Sequence, residues 1–153
     1  MDTRRVDELD LHIRNQVYAS FVQIGTAWSA AEAARELGLG ESVVATAYRR
    51  LHDAHALVLQ PDRKEVRMLN PFSAVETPHR VEAGGRAWFA NCAWDALGIP
   101  DALHVDGRID SECPDCGEPL ELEVRDGDLV RGADLLVHFV VPARRWWDDI
   151  GFT

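Results

Sequence analysis

A short helix with both ends marked lies near the start of the sequence. Ser29-Ala-Ala-Glu32 has the form of a capping box, with Ser29 as the cap and Glu32 as the third helical residue. Gly38 supplies the left-handed conformation that commonly ends a helix. Because a second amphipathic stretch follows at residues 42–54, the pattern predicts a helix, a tight glycine turn and a helix.

Residues 6–24 carry apolar side chains at helical spacing and predict one more helix before this pair. Two apolar runs, 57–59 and 66–69, flank a turn at 61–64 and predict a hairpin. Helices followed by such a wing are typical of a winged helix. We therefore predict a winged-helix-like domain over residues 1–70.

The distribution of charge argues against a nucleic-acid partner. Residues 1–70 contain 9 basic and 10 acidic side chains, whereas residues 71–153 contain 7 and 16. An acidic surface repels phosphate, so the second half is not expected to bind DNA or RNA. For the first domain, DNA binding competes with a structural or substrate-covering role. Glu41, at the helix end that would enter a groove, favours the second role.

The second half of the chain predicts a small domain with an antiparallel sheet. Residues 71–81 contain two prolines and no helical period, so they are expected to form an extended linker to a domain at 82–153. The predicted fold class of the whole chain is therefore α+β. The expected elements of the second domain are a helix at 87–97, a turn at 98–100, strands at 104–112, 120–125 and 135–141, and an Asp-Gly hairpin turn at 126–128.

Trp88-Phe-Ala-Asn-Cys-Ala-Trp-Asp95 places a cysteine and an acid three residues apart in an apolar, aromatic run. On the predicted helix, Cys92 and Asp95 would project from one face and could both contact a single ligand atom. A thiolate beside a proton-carrying carboxyl suits soft-metal chemistry coupled to proton transfer. Trp88 and Trp94 are candidates to line an apolar pocket for an organic group. The alternative is that Cys92 packs in the core and Asp95 caps or pairs nearby.

Cys113-Pro-Asp-Cys116, followed by Gly117, lies between two predicted strands and has the spacing of half a zinc knuckle. A tetrahedral zinc site needs two more ligands, for which Cys92, His104 and His138 are candidates. A bound zinc ion, a reduced or redox-active dithiol and plain packing all remain open. The other histidines, His79 among them, are expected to be solvated.

Two segments together resemble the alkylmercury (organomercurial) lyase family. They are Asn70-Pro-Phe-Ser-Ala-Val-Glu-Thr-Pro-His-Arg-Val81 and Ala87-Trp-Phe-Ala-Asn-Cys-Ala-Trp-Asp-Ala-Leu-Gly-Ile-Pro100. The resemblance covers residues 71–153 and extends more loosely over the N-terminal helices. It implies a lyase-like second domain and a substrate-covering winged-helix-like first domain.

The resemblance also implies the chemistry and its residues. Cys92 binds the mercury of R–Hg–X, Asp95 carries the proton, and protonolysis of the carbon–mercury bond releases R–H. Mercury is the metal of the substrate, and no cofactor is required. A second catalytic cysteine is expected just past Thr153, so reduced activity is expected of the present sequence. One cysteine near Cys113 is structural in the family, and Cys116 is a departure from it.

The alternative function is a metal- or thiol-responsive winged-helix regulator, or a metal-binding module, that uses Cys92, Cys113 and Cys116. Under both hypotheses the binding partner is a small organometallic compound or a soft metal. The sequence contains no nucleotide-binding glycine loop and no common hydrolase motif. Without an apolar span or signal peptide, and with 3 cysteines, it is expected to be cytoplasmic, with no membrane partner.

The last residues alternate in polarity. Ile150 and Phe152 are apolar in a polar context, which predicts that residues 150–153 start a strand. Such a strand would pair with the edge of the sheet beside 135–141 or contact a second subunit, because unpaired strand edges invite pairing. We therefore include a homodimer among the predictions.

Overall fold

The computed structural model describes residues 6–62 and 64–151. The chain forms two compact units whose boundary lies between Val75 and Glu76. Helices come first and an antiparallel sheet follows, so the α+β prediction is confirmed. No helix within the described residues is long and apolar enough to cross a membrane.

Three helices open the first unit, and the sequence marks their ends. Asp7 caps the first helix and forms a capping box with Asp10. Ser29 and Glu32 form the predicted box on the second, and Gly38, with φ of 66°, ends it. The helices are α1 (Glu8–Ile24), α2 (Ala30–Leu37) and α3 (Glu41–Asp53).

Short antiparallel strands complete this unit. They are β1 (Val58–Leu59), β2 (Val66–Leu69) and β3 (Phe72–Ser73), in the order β1-β2-β3. Phe72 stacks on Phe21 with ring centroids 5.7 Å apart, which joins β3 to α1. Burying each such side chain contributes about 1.5–3 kcal/mol. Arg63, in the predicted turn at 61–64, lies outside the described residues.

Arg50, one of the basic residues of α3, is held by a buried carboxylate of α1. Its Nε and Nη2 donate to the two oxygens of Asp10 at 2.8 and 2.5 Å. The Asp10 side chain is fully buried. This bidentate pair fixes α3 against α1. Because the Arg50 guanidinium is already paired with Asp10, it gives no support to DNA binding by this unit. The winged-helix-like assignment stays a prediction.

The second unit is an antiparallel sheet with one helix packed on it. Its strand order is β5-β4-β6-β7-β8, and the helix contacts β4, β5 and β6. The elements are β4 (Arg80–Ala83), β5 (Arg86–Ala90), α4 (Ala93–Leu103), β6 (Gly107–Glu112), β7 (Pro119–Arg125), β8 (Asp128–Arg131) and a 3-10 helix (Ala143–Asp148). The core between helix and sheet includes Val81, Ala96, Ile99 and Ile109.

The prediction of one helix over 87–97 is wrong. Residues up to Ala90 form strand β5, which pairs with β4, and the helix starts only at Ala93. Within β5, Trp88 and Ala90 are buried while Phe89 between them is half-buried, a period of two. The aromatic run hides this alternation because its apolar residues are contiguous in sequence.

The predicted turn at 98–100 is also wrong, because α4 continues to Leu103 with Pro100 inside it. Ile99 and Pro100 are buried, so packing against the sheet outweighs the helix-breaking tendency of proline. The strand expected from residue 104 begins at Gly107 instead. His104 adopts the left-handed conformation that ends the helix.

Residues 135–141 do not form the predicted strand. The strand after the Asp-Gly turn is β8, which pairs with β7 through a two-residue turn with φ of 50° at Asp126 and 82° at Gly127. Leu136 is 94% exposed, so the apolar run lacks the burial that favours a strand. Ile150 lies in a turn, and Phe152 and Thr153 lie outside the described residues.

Replacement of Arg50 by Met is expected to lower the free energy of unfolding by about 3 kcal/mol, because it leaves the Asp10 carboxylate buried without its partner. Urea unfolding measures this change. Arg49→Met is the matched control, since Arg49 is exposed and lies next to it on α3. Equal losses in both variants would contradict the role given to the pair.

Replacement of Gly107 by Ala is expected to destabilise the protein by about 1–3 kcal/mol through overpacking. A Cβ on Gly107 would overlap the Pro100 ring, whose Cβ would lie 3.0 Å away. Pro100→Ala in the same chain should recover part of the loss, which a double-mutant cycle of unfolding measures. Strictly additive effects would show that the two residues do not compete for this space.

Candidate active site

Cys92 caps the N-terminus of α4. Its backbone is extended, with φ of −146° and ψ of 176°, and its Sγ accepts a hydrogen bond from the Asp95 N–H at 3.5 Å. Asp95 is the third residue of the helix, so the spacing Cys-x-x-Asp repeats that of a capping box with sulfur in place of a hydroxyl. The two side chains therefore meet at the start of the helix. The sequence predicts them in the middle of a helix instead.

The two groups lie in an environment with little water. Asp95 is 8% exposed, and Cys92 is half-buried. The Asp95 carboxyl also hydrogen-bonds the Cys92 side chain. A carboxylate in the first turn is favoured by the helix dipole, which offsets part of its burial.

Burial shifts the proton affinity of both groups upward. It raises the pKa of Asp95 to about 6, and the hydrogen bond with Cys92 acts in the opposite direction. Burial also raises the pKa of the Cys92 thiol, and the nearby Asp95 charge raises it further. Both groups therefore retain their protons to higher pH than they would in water. For both groups the largest cause of the raised pKa is burial.

Two residues that sequence reasoning did not select hold the strand end before Cys92. The Thr77 hydroxyl donates to the Ala90 carbonyl at 2.6 Å, and the Ala90 N–H donates to the His79 carbonyl at 2.9 Å. These bonds fix the backbone two residues before the cap. No spacing rule in the sequence identifies Thr77, because its partner lies 13 residues away.

His79 is expected from the sequence to be solvated, but the structure shows otherwise. Its Nδ1 lies 2.8 Å from the Ser111 hydroxyl on β6, and burial lowers its pKa. The Asn91 amide donates to the Ile150 carbonyl at 3.4 Å. The residue before the cap thus reaches the C-terminal segment of the unit.

The predicted pocket residues occupy different environments. Trp88 is 4% exposed in β5, where it pairs with Val81 of β4. Trp94 is 62% exposed and borders a groove of about 630 Å³ together with Pro100 and Leu129. A role for either tryptophan in holding an organic group stays a prediction.

Cys113 and Cys116 lie together in the turn between β6 and β7. Hydrogen bonds from the backbone N–H groups of Cys116 and Asp115 lower the pKa of the Cys113 thiol. Among residues 6–62 and 64–151, no group of three or more His, Cys, Asp or Glu side chains is placed to hold a metal ion. The three-cysteine site of the regulator hypothesis is therefore not assembled there. Zinc at the Cys113/Cys116 turn stays a prediction.

Comparison with known proteins agrees with this architecture. The model of the alkylmercury lyase family matches residues 72–153. Among solved structures, "Crystal structure of the mercury-bound form of MerB2" is similar, with a TM-score of 0.67 and 26% sequence identity. The match covers 83% of this chain and 61% of that chain. No curated protein sequence matches.

The family match extends over more than half of the sequence. The chain belongs to the alkylmercury lyase family. The resemblance inferred from Asn70–Val81 and Ala87–Pro100 is thereby confirmed. Cys92 and Asp95 both lie inside the matched residues.

Replacement of Asp95 by Asn should flatten the dependence of stability on pH. A carboxyl whose pKa is higher in the folded than in the unfolded chain stabilises the protein at low pH, and this contribution is lost as the pH rises through the folded value. The rise from 3.8 to about 6 corresponds to about 3 kcal/mol. We expect the variant to gain this amount over the wild type between about pH 4 and pH 7.

Urea unfolding at a series of pH values measures this difference. Asp101→Asn, which removes an exposed carboxylate from the same helix, is the control. If the wild type and the Asp95 variant differed by a constant amount at every pH, the shifted titration of Asp95 would be refuted.

Proposed function

We propose that this protein cleaves the carbon–mercury bond of organomercurials by protonolysis, with Cys92 as the mercury ligand and Asp95 as the proton carrier. The observation that carries the proposal is that a half-buried thiol and a buried carboxyl lie together at the start of α4, where the Asp95 N–H donates to the Cys92 sulfur. Membership of the alkylmercury lyase family supports the reaction class. The similar structure is a mercury-bound form of MerB2, which supports mercury as the metal of the substrate.

The first step is capture of the substrate by sulfur. As Cys92 bonds to the mercury of R–Hg–X, the thiol proton passes to the Asp95 carboxylate, with which it already shares a hydrogen bond. The ligand X leaves with its electron pair. The buried pair carries one negative charge before this step and none after it, because X leaves as an anion and the proton stays on Asp95, and a neutral pair is favoured where both groups are poorly solvated.

The second step is delivery of the proton to carbon. The electron pair of the carbon–mercury bond takes the proton from Asp95, R–H departs, and mercury(II) remains on the Cys92 sulfur. A carboxyl with a pKa of about 6 is close to the working pH, which suits a group that must accept and then donate a proton. Mercury is itself the Lewis acid, so the scheme needs no cofactor.

Release of mercury requires a second sulfur ligand. Cys113 and Cys116 are the other cysteines of the sequence, and they lie on the turn between β6 and β7. We propose that a small thiol in solution supplies this sulfur and carries mercury(II) away. Turnover is therefore expected to rise with the concentration of added thiol.

Arene release from phenylmercury acetate with excess thiol tests the proposal. We expect Cys92→Ser to lose activity and Asp95→Asn to lose about 10²–10⁴-fold in rate, the usual contribution of a positioned acid. Asp101→Asn, which alters an exposed carboxylate of the same helix, should keep the wild-type rate. Equal rates in the wild type, Cys92→Ser and Asp95→Asn would overturn the assignment.

A further inference from the structure

The turn between β6 and β7 carries two cysteines on a tightly closed loop. Glu112 and Pro119 are the last paired residues of the two strands. Beyond them, the Cys113 N–H donates to the Glu118 carbonyl at 2.9 Å, and the Gly117 N–H donates to the Cys113 carbonyl at 2.8 Å. Gly117 has φ of 71°, which lets the chain turn back at this point. The loop therefore holds the two cysteines at a fixed separation along the backbone.

The two cysteines lie three residues apart on this one turn. Hydrogen bonds with the backbone N–H groups of Cys116 and Asp115 and with the Cys116 side chain lower the pKa of the Cys113 thiol. These donors favour a negative charge on Cys113. Cys116 is exposed and Cys113 is half-buried, so a solute can reach both.

The surroundings of the pair are acidic. Glu112, Asp115 and Glu118 flank the cysteines, and all three are exposed. The described part of the loop carries no basic side chain between 112 and 119. Such a field favours the approach of a cation and disfavours an anion. A pair of sulfurs in it selects a soft cation over a hard one.

We propose that Cys113 and Cys116 form a second site, separate from the Cys92–Asp95 pair, that chelates a thiophilic cation with two sulfur ligands, of which mercury(II) is the clearest case. Two thiolates satisfy a two-coordinate soft cation, whereas a tetrahedral ion would need two more ligands. The Cys-x-x-Cys spacing, on a turn closed by the backbone hydrogen bonds of Cys113 with Glu118 and Gly117, brings both sulfurs within reach of one ion.

Binding is a ligand exchange without oxidation or reduction. Mercury arrives as a complex with two small thiolates, and each of these leaves with a proton from Cys113 or Cys116. Two mercury–sulfur bonds to the protein form, and two mercury–sulfur bonds to the small thiols break. The exchange is favoured because the second protein thiol is already beside the first, which raises its effective concentration.

This inference does not depend on the proposed lyase reaction. It assigns a capture site for the cation, and the cation can come from solution or from the Cys92 site. Binding is therefore tested in a chain that has no Cys92 thiol. Serine at that position can still cap α4, because its hydroxyl accepts the same kind of hydrogen bond.

The experiment adds mercuric chloride, with glutathione in excess, to the full chain carrying Cys92→Ser and measures bound metal by native mass spectrometry. We expect one mercury ion per chain. Adding Cys116→Ser should weaken retention by about 100-fold or more, because the chelate becomes a single thiolate. Adding Pro114→Ala, which alters the same loop and leaves both sulfurs, should retain the ion.

Three results would overturn the proposal. They are equal retention with and without the Cys116 thiol, preferential retention of zinc over mercury by the pair, and a Cys113–Cys116 disulfide that persists in excess glutathione. Far-ultraviolet circular dichroism checks that each variant is folded. Failure of arene release by the wild type would leave this binding result unchanged, so the two proposals can fail separately.

Discussion

Helix α4 begins where the Asp95 N–H donates a hydrogen bond to the Cys92 sulfur, and packing of the helix on the sheet holds this start in place. A sulfur accepts hydrogen bonds weakly, so this cap is a poor one compared with serine or aspartate. The helix nevertheless starts there because its inner face, with Ala96 and Ile99, is buried against the sheet. Tertiary packing therefore compensates for a weak cap. The capping atom is a sulfur, which suits the proposed reaction better than it stabilises a helix.

Hydrogen bonds also fix the end of β5, the strand that precedes this cap. Thr77 and His79 both bond Ala90, the last residue of β5, and His79 is tied to Ser111 of the neighbouring region of β6. A strand end fixed on two sides leaves little freedom for Asn91 and Cys92 that follow. Since the proposed proton transfer between Cys92 and Asp95 depends on their separation, these bonds would affect the reaction only through the positions of the two groups.

Local signals predicted the parts of the fold that depend on short-range chemistry. The capping box at Ser29, the glycine at Gly38 and the Asp-Gly turn at Gly127 each need only a few neighbouring residues, and the structure contains all three. The start of α4 was missed because Trp88 and Ala90 alternate within a contiguous apolar run. For the site, the sequence predicted the proximity of Cys92 and Asp95 but not the helix end, the burial or the partners that determine their pKa values.

The close approach of Gly107 to Pro100 joins the first residue of β6 to the late turns of α4. Neither residue takes part in the proposed reaction. The missing side chain of Gly107 leaves the space that the Pro100 ring fills. A larger residue on the strand requires a smaller or displaced ring on the helix. We therefore expect the two positions to covary within this family. A substitution at Pro100, on the helix that carries Cys92 and Asp95, would then be accompanied by a compensating substitution at Gly107 of β6.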